Sequence, residues 1–176
     1  MTRMGPSNRW MLALMRHAKS DWAESGLSDH DRPLNARGRR DAPEMARWFE
    51  RHDAVPDVVL ASTAKRVVET VERMTKHWKN APLVLTSSTL YLASPQTILE
   101  HIRCEAVDAR GCRPERLLVV GHNPGMEQLV SSLAGIATTM PTAAVALFEC
   151  QSIRAEDENA PHVERLVSIG RPKDLQ

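Results

Sequence analysis

Trp10-Met11-Leu12-Ala13-Leu14-Met15-Arg16-His17-Ala18 is the stretch that decides the fold of this 176-residue chain. Its first six residues form an unbroken apolar run. A run of that length fits a strand buried on both faces, as in a parallel sheet. It is too short to span a bilayer. It leads directly into the Arg16-His17 pair with no small-residue cleavage site, which argues against a signal peptide.

Outward from this strand, residues 1–8 read as a loose lead-in containing Gly5 and Pro6. Residues 19–35 are polar, rich in Asp, Ser and Pro, and read as a functional loop. Asn35 to His52 has helical spacing, with Ala42, Met45, Ala46 and Phe49 on one face and Pro43 near the start. Val55–Leu60 is a second apolar run. A helix to about His77 follows, with Ser62 or Thr63 as its cap. Leu83-Val84-Leu85 is a short strand. Pro95 to about Val107 is a helix with Ile98, Leu99 and Ile102 in phase. Arg116–Gly121 is another buried strand, and Pro124–Leu133 a helix. Ala143–Cys150 and His162–Ile169 read as late strands around a polar turn, Arg154–Pro161. Strands alternate with helices for most of the length. The expected class is therefore α/β, a single layered domain over residues 1–176 with a mostly parallel central sheet flanked by helices.

Composition bounds the function. Hydrophobic residues make up 42% and charged residues 26%, so the chain reads as globular. The net charge of +1 exerts no global pull on nucleic acid or membrane, so an anion site must be local. Cys104, Cys112 and Cys150 are an odd, scattered set without metal-ligand spacing, and read as reduced cytosolic thiols.

Three polar clusters fall at expected strand ends, where open α/β sheets bind ligands. Arg16-His17 follows the first strand. Histidine there offers a neutral nucleophilic imidazole, with an ordinary pKa of about 6.5. Arginine can fork onto phosphate oxygens. Ser62-x-x-x-Arg66-x-x-x-Thr70 follows the second, its spacing putting Arg66 and Thr70 on one helix face. Ser62 sits at the helix start, where backbone donors favour anions. Gly121-His122-Asn123-Pro124-Gly125 follows the most hydrophobic strand. Gly121 permits close approach, and Pro124 can begin a helix. Taken singly, the first cluster reads better as a surface pair at a strand end and the second as a capped solvent-facing helix, while the third reads equally as an ordinary strand-to-helix turn. Convergence of two histidines and two arginines on one pocket is much harder to reach by chance.

At these residues the chain resembles the histidine phosphatase superfamily, the phosphoglycerate mutase-like fold. The family opens with Arg-His-Gly after its first strand; here Ala18 replaces the glycine, as in the short SixA-like phosphohistidine phosphatases. Further similarity lies in Asp31-Arg32-Pro33-Leu34-Asn35, Gly38-Arg39, Ser62 to Thr70, Val120 to Gly125 and Met140–Ala144. The resemblance implies a three-layer fold without a large cap domain. It implies His17 as the nucleophile that takes the phosphoryl group, with Arg16, Arg66 and His122 completing the catalytic pocket. Arg16, Arg66, Ser62 and Asn123 are the expected substrate-binding residues. No cofactor or metal is implied, because cationic side chains fill the role metal ions play in other phosphoryl-transfer sites.

Larger members supply an acidic proton donor, usually from an insertion. Asp21, Asp29, Asp31 and Glu127 are candidates for it, none of them assigned. Lack of such an acid suits phosphohistidine, whose imidazole leaving group is far less basic than an alkoxide. With little room for a cap between Thr70 and Gly121, a shallow pocket open to a protein side chain is expected. The expected partner is a histidine-phosphorylated protein acted on by a cytoplasmic monomer. The alternatives are a phosphatase for a small phosphorylated molecule and a non-catalytic phosphoprotein-binding module. Retention of both histidines argues against the latter.

Other conspicuous residues have plainer readings. Trp10, Trp48 and Trp78 read as packing residues, and Trp22 as a candidate pocket-lining residue. His30, His52, His77, His101 and His162 read as surface residues. Arg37, Arg39 and Arg40 read as a solvated helix start rather than a nucleic-acid patch.

Overall fold

The computed structural model describes residues 9–104, 114–151 and 162–175. The expected lead-in, the helix end near Val107, Cys112 and the turn Arg154–Pro161 lie outside the described residues. In chain order the elements are β1 (Arg9–Arg16), α1 (Ala36–Arg51), β2 (Val58–Ser62), α2 (Lys65–Thr75), β3 (Leu83–Ser87) and α3 (Pro95–Cys104). Then come β4 (Arg116–Gly121), α4 (Gly125–Ala134), β5 (Val145–Gln151) and β6 (His162–Gly170).

The strands form one six-stranded sheet in the order β3-β2-β4-β1-β5-β6. Neighbours among β3, β2, β4 and β1 run parallel, and β5 runs antiparallel to both β1 and β6. The apolar opening run lies inside this sheet, between β4 and β5. Successive side chains of a strand point to opposite faces, and β1 feeds a core on each. Ala13 and Met15 pack with Met45, Phe49, Val67 and Val71 of α1 and α2. Leu12 and Leu14 pack with Ile98, Ile102, Leu129 and Val130 of α3 and α4. The result is the expected three-layer α/β arrangement, and no large cap domain occurs among the described residues.

Three local expectations are corrected. β2 begins at Val58 rather than Val55, because Pro56 has no N–H for the ladder. α2 begins at Lys65, and neither Ser62 nor Thr63 caps it; Ala64 holds that position without a side-chain bond. α1 begins at Ala36, so Pro43 stands in the helix interior and removes the N–H that the Arg39 carbonyl would otherwise accept. The start of α1 is well made: Asn35 Oδ1 accepts the Gly38 N–H at 2.9 Å. A Cβ at Gly38 would stand 2.2 Å from the Lys19 carbonyl oxygen, so glycine lets α1 press against the loop after His17.

Candidate active site

The sheet register brings the three strand-end clusters together. Arg16 pairs across to Gly121, and Ala61 to Val120, so the residues after β1, β2 and β4 leave the sheet side by side. The turn after β1 is tied down on both sides. His17 N–H donates to Gly121 O at 3.1 Å, and Ala143 N–H donates to His17 O at 3.0 Å. Ala18 N–H donates to Thr70 Oγ1 at 3.1 Å, and that hydroxyl donates to Arg66 O at 2.6 Å. The one-face spacing of Arg66 and Thr70 thus anchors α2 against the residue after His17.

Arg66 is the hub. Its Nε donates to His17 Nε2 at 3.2 Å, and its Nη2 reaches His122 Nδ1 at 3.3 Å. The two imidazoles stand with ring centroids 5.1 Å apart. A guanidinium can only donate, so each contacted ring nitrogen carries a lone pair. The other nitrogens agree. His17 Nδ1 lies 2.7 Å from the Ala18 carbonyl and donates to it; His122 Nε2 donates to Ser62 Oγ at 2.9 Å. Ser62 therefore orients His122 directly, and its hydroxyl also accepts the Ala64 N–H at 3.3 Å.

Both rings are neutral near pH 7. Burial lowers the His17 pKa to about 4 against the favourable Ala18 bond, helped by Arg66 and Arg16. Burial lowers that of His122 to about 3, with His17 and Arg66 adding to it. His17, Arg66 and His122 retain 7%, 4% and 2% exposure. Little of any of these three side chains meets solvent.

Arg16 Nη1 donates to Met140 O at 3.0 Å, while its buried Nε has no partner among the described residues. Asn123 Nδ2 donates to Glu127 Oε2 at 3.1 Å and Met140 O at 3.0 Å. Its buried Oδ1 has no partner among the described residues, so what Asn123 offers a ligand is an acceptor.

Four carboxylates were candidate proton donors. Glu127 holds Asn123 and the Met140 N–H, the latter at 2.8 Å. Asp21 accepts the Ala23 N–H at 2.9 Å, and Asp31 accepts the Ser28 hydroxyl at 2.6 Å. Asp29 Oδ2 accepts Tyr91 OH at 2.6 Å and Arg66 Nη2 at 2.9 Å, and its backbone carbonyl accepts Arg66 Nη1. The Tyr91 bond first, then Arg66, holds its carboxyl below the usual range, so Asp29 is ionised.

Tyr91 is the residue that sequence reasoning missed. Its ring meets that of His122 edge-on at 5.3 Å, from a turn between β3 and α3. The only sequence signal was an isolated tyrosine in an apolar-polar turn. His101 was expected at the surface but is buried, its Nε2 bonded to Thr89 Oγ1, because it faces inward from α3. Arg37 and Arg40 are accounted for within α1 by ion pairs to Asp41 at 3.2 and 3.1 Å.

The family model described as histidine phosphatase superfamily (branch 1) matches residues 12–88. An uncharacterised protein of Mycobacterium tuberculosis is 39% identical over 125 residues, 71% of this chain and 73% of its own length. Among solved structures, one assigned as phosphohistidine phosphatase SixA from Agrobacterium tumefaciens superposes with a TM-score of 0.74 at 25% identity. The match covers 93% of this chain and 99% of that one. The protein histidine phosphatase SixA complexed with tungstate gives 0.75 at 18% identity, covering 94% and 99%, a likeness of fold.

Proposed function

This chain belongs to the histidine phosphatase superfamily, and from that premise we propose that it hydrolyses phosphohistidine on a protein through a phosphoenzyme intermediate on His17. The observation that carries the proposal is the Arg66 guanidinium, which contacts the unprotonated nitrogens of His17 and His122 together.

On this reading the substrate phosphoryl group takes up the N–H donors of Arg16 and Arg66, the unpartnered Arg16 Nε among them. The His17 Nε2 lone pair attacks phosphorus. A new N–P bond forms as the bond from phosphorus to the substrate imidazole breaks, and the departing ring takes a proton from solvent. The His17 Nδ1–H bond to Ala18 O holds the ring in line and eases the positive charge that develops on it. Water then attacks the phosphoryl group of phospho-His17, giving inorganic phosphate and free enzyme. Arg66 and Arg16 spread the charge of both transition states, and no step calls on a metal.

Leaving-group chemistry supports the substrate class. None of the four candidate carboxylates is poised as an acid: Asp29 is ionised, and the other three are tied to backbone or hydroxyl partners. A phosphoramidate tolerates that; an alkyl phosphate does so poorly. The proposal extends to a single-domain monomer, because every group of the site comes from one chain. It extends to the cytosol, on the odd number and scattered spacing of Cys104, Cys112 and Cys150, which is not that of a disulfide framework. No helix among the described residues is long and apolar enough to cross a membrane.

The test is phosphate release by wild type and His17→Ala, without added metal, from a phosphohistidine protein, a phosphoserine peptide and a small aryl phosphate. Preference for phosphohistidine, abolished in the variant, is the expected result. Preference for a small phosphate ester would move the assignment to a small-molecule phosphatase. Binding without turnover by wild type would leave a phosphoprotein-binding module.

A further inference from the structure

The loop between His17 and α1 presents a feature that the phosphate pocket does not use. Of the four tryptophans, Trp10, Trp48 and Trp78 are buried, whereas Trp22 is 65% exposed. An exposed indole on a loose loop would be unremarkable, but Trp22 is held. Its Nε1 donates to the buried Ser20 Oγ at 3.2 Å, and the Arg32 guanidinium lies 4.1 Å from its ring centre. The loop is closed at its base, where Asp21 N–H donates to Pro33 O at 2.8 Å and Ser20 bridges Leu34.

The same contacts run to the phosphate pocket. Arg32 Nε stands 3.8 Å from Asp29 Oδ1, and Asp29 is ion-paired to Arg66 at 2.9 Å. Trp22 is thus joined to the hub of the site through two charged residues. It combines exposure with restraint, the condition under which an aromatic contributes binding energy at little entropic cost.

Resting on the reading above, we propose that Trp22, backed by Arg32, is a specificity surface that packs against the polypeptide flanking the phosphohistidine of a protein substrate. Burial suggests the division of labour. His17, Arg66 and His122 are almost wholly buried while Trp22 is exposed, so on this proposal the phosphorylated side chain reaches the first three and the chain that carries it lies against the indole. An indole with one face covered by a cation offers its other face to a peptide plane or an apolar side chain. On this proposal a free phosphate or a small phosphoramidate engages the pocket without the indole. An aromatic leaving group stacked on Trp22 is the competing occupant.

The experiment compares wild type with Trp22→Ala on a phosphohistidine peptide, phosphoramidate and phenyl phosphate. It also follows acrylamide quenching of tryptophan fluorescence in His17→Ala as that peptide is added. Trp22 is the one exposed indole, so quenching reports on it directly. The expected result is protection of Trp22 by the peptide but not by inorganic phosphate. With it comes a fall of about tenfold in kcat/KM for the peptide relative to phosphoramidate, carried by KM, as for truncation of an interface aromatic. Equal losses on all three substrates, or on the peptide and phenyl phosphate alone, would overturn the surface. A peptide that is hydrolysed while Trp22 stays fully quenchable would overturn the surface and leave the phosphatase reading standing. Protection of Trp22 without turnover by wild type would sustain the surface and overturn that reading. A peptide that neither binds nor reacts overturns both.

Discussion

Asp29 separates two kinds of site that look alike in sequence. A carboxylate in the loop after His17 could serve as a proton donor or as an orienting anion. Under the proposed mechanism its bonds to Tyr91 and Arg66 make it the latter, since they hold the guanidinium that touches both histidines. The expected effect of Asp29→Asn is a five- to thirtyfold loss of kcat/KM, from about 1–2 kcal/mol of lost orientation. Tyr91→Phe should give a smaller loss in the same direction. The diagnostic is leaving-group dependence, measured on a series of aryl phosphates. An orienting role costs all members alike, whereas a proton donor would cost the poorest leaving groups most. Nothing in the spacing of Asp29 and Tyr91, 62 positions apart, announced their contact. Arg16, His17, Arg66 and His122 were legible because each stands at the end of an apolar run or one helical turn beyond it.

At the scale of elements, the approach of α4 to the site depends on Gly125. A Cβ there would lie 1.9 Å from the Ala93 carbonyl oxygen, a clash with backbone that no rotamer relieves. Gly125→Ala should lower stability by roughly 1–3 kcal/mol, as overpacking does, and reduce phosphatase activity by shifting the His122 turn. Gly26→Ala is the control, since its Cβ would meet nothing within 4 Å. Urea midpoints of the two variants that fell equally would refute the packing argument. The strands were legible as apolar runs and the helices as 3.6-residue patterns. Their ends were less so, because caps are settled by what the side chain can reach: Ser62 turns to His122 rather than capping α2.

Over the whole molecule, two neutral buried histidines link function to acid stability. Their pKa values fall from 6.5 to about 4 and about 3 on folding. The unfolded chain therefore binds more protons than the folded one below about pH 6.5, and stability falls with pH. His17 alone should cost about 2 kcal/mol between about pH 7 and about pH 4.5. Replacement of His17 by Gln should flatten that slope in urea unfolding, whatever it does to activity. An unchanged slope would mean the ring is protonated in the folded state.

The layered α/β class and the place of the Arg16-His17 pair after β1 follow from sequence by itself, since an unbroken apolar run must be covered on both faces and a polar pair cannot continue it. Which nitrogens carry protons, that Asp29 is a salt-bridged anion, and that Trp22 alone of the tryptophans meets solvent were decided by the tertiary structure. Those properties depend on partners distant along the chain, which only the register of β1 against β4 and β2 against β4 brings within reach.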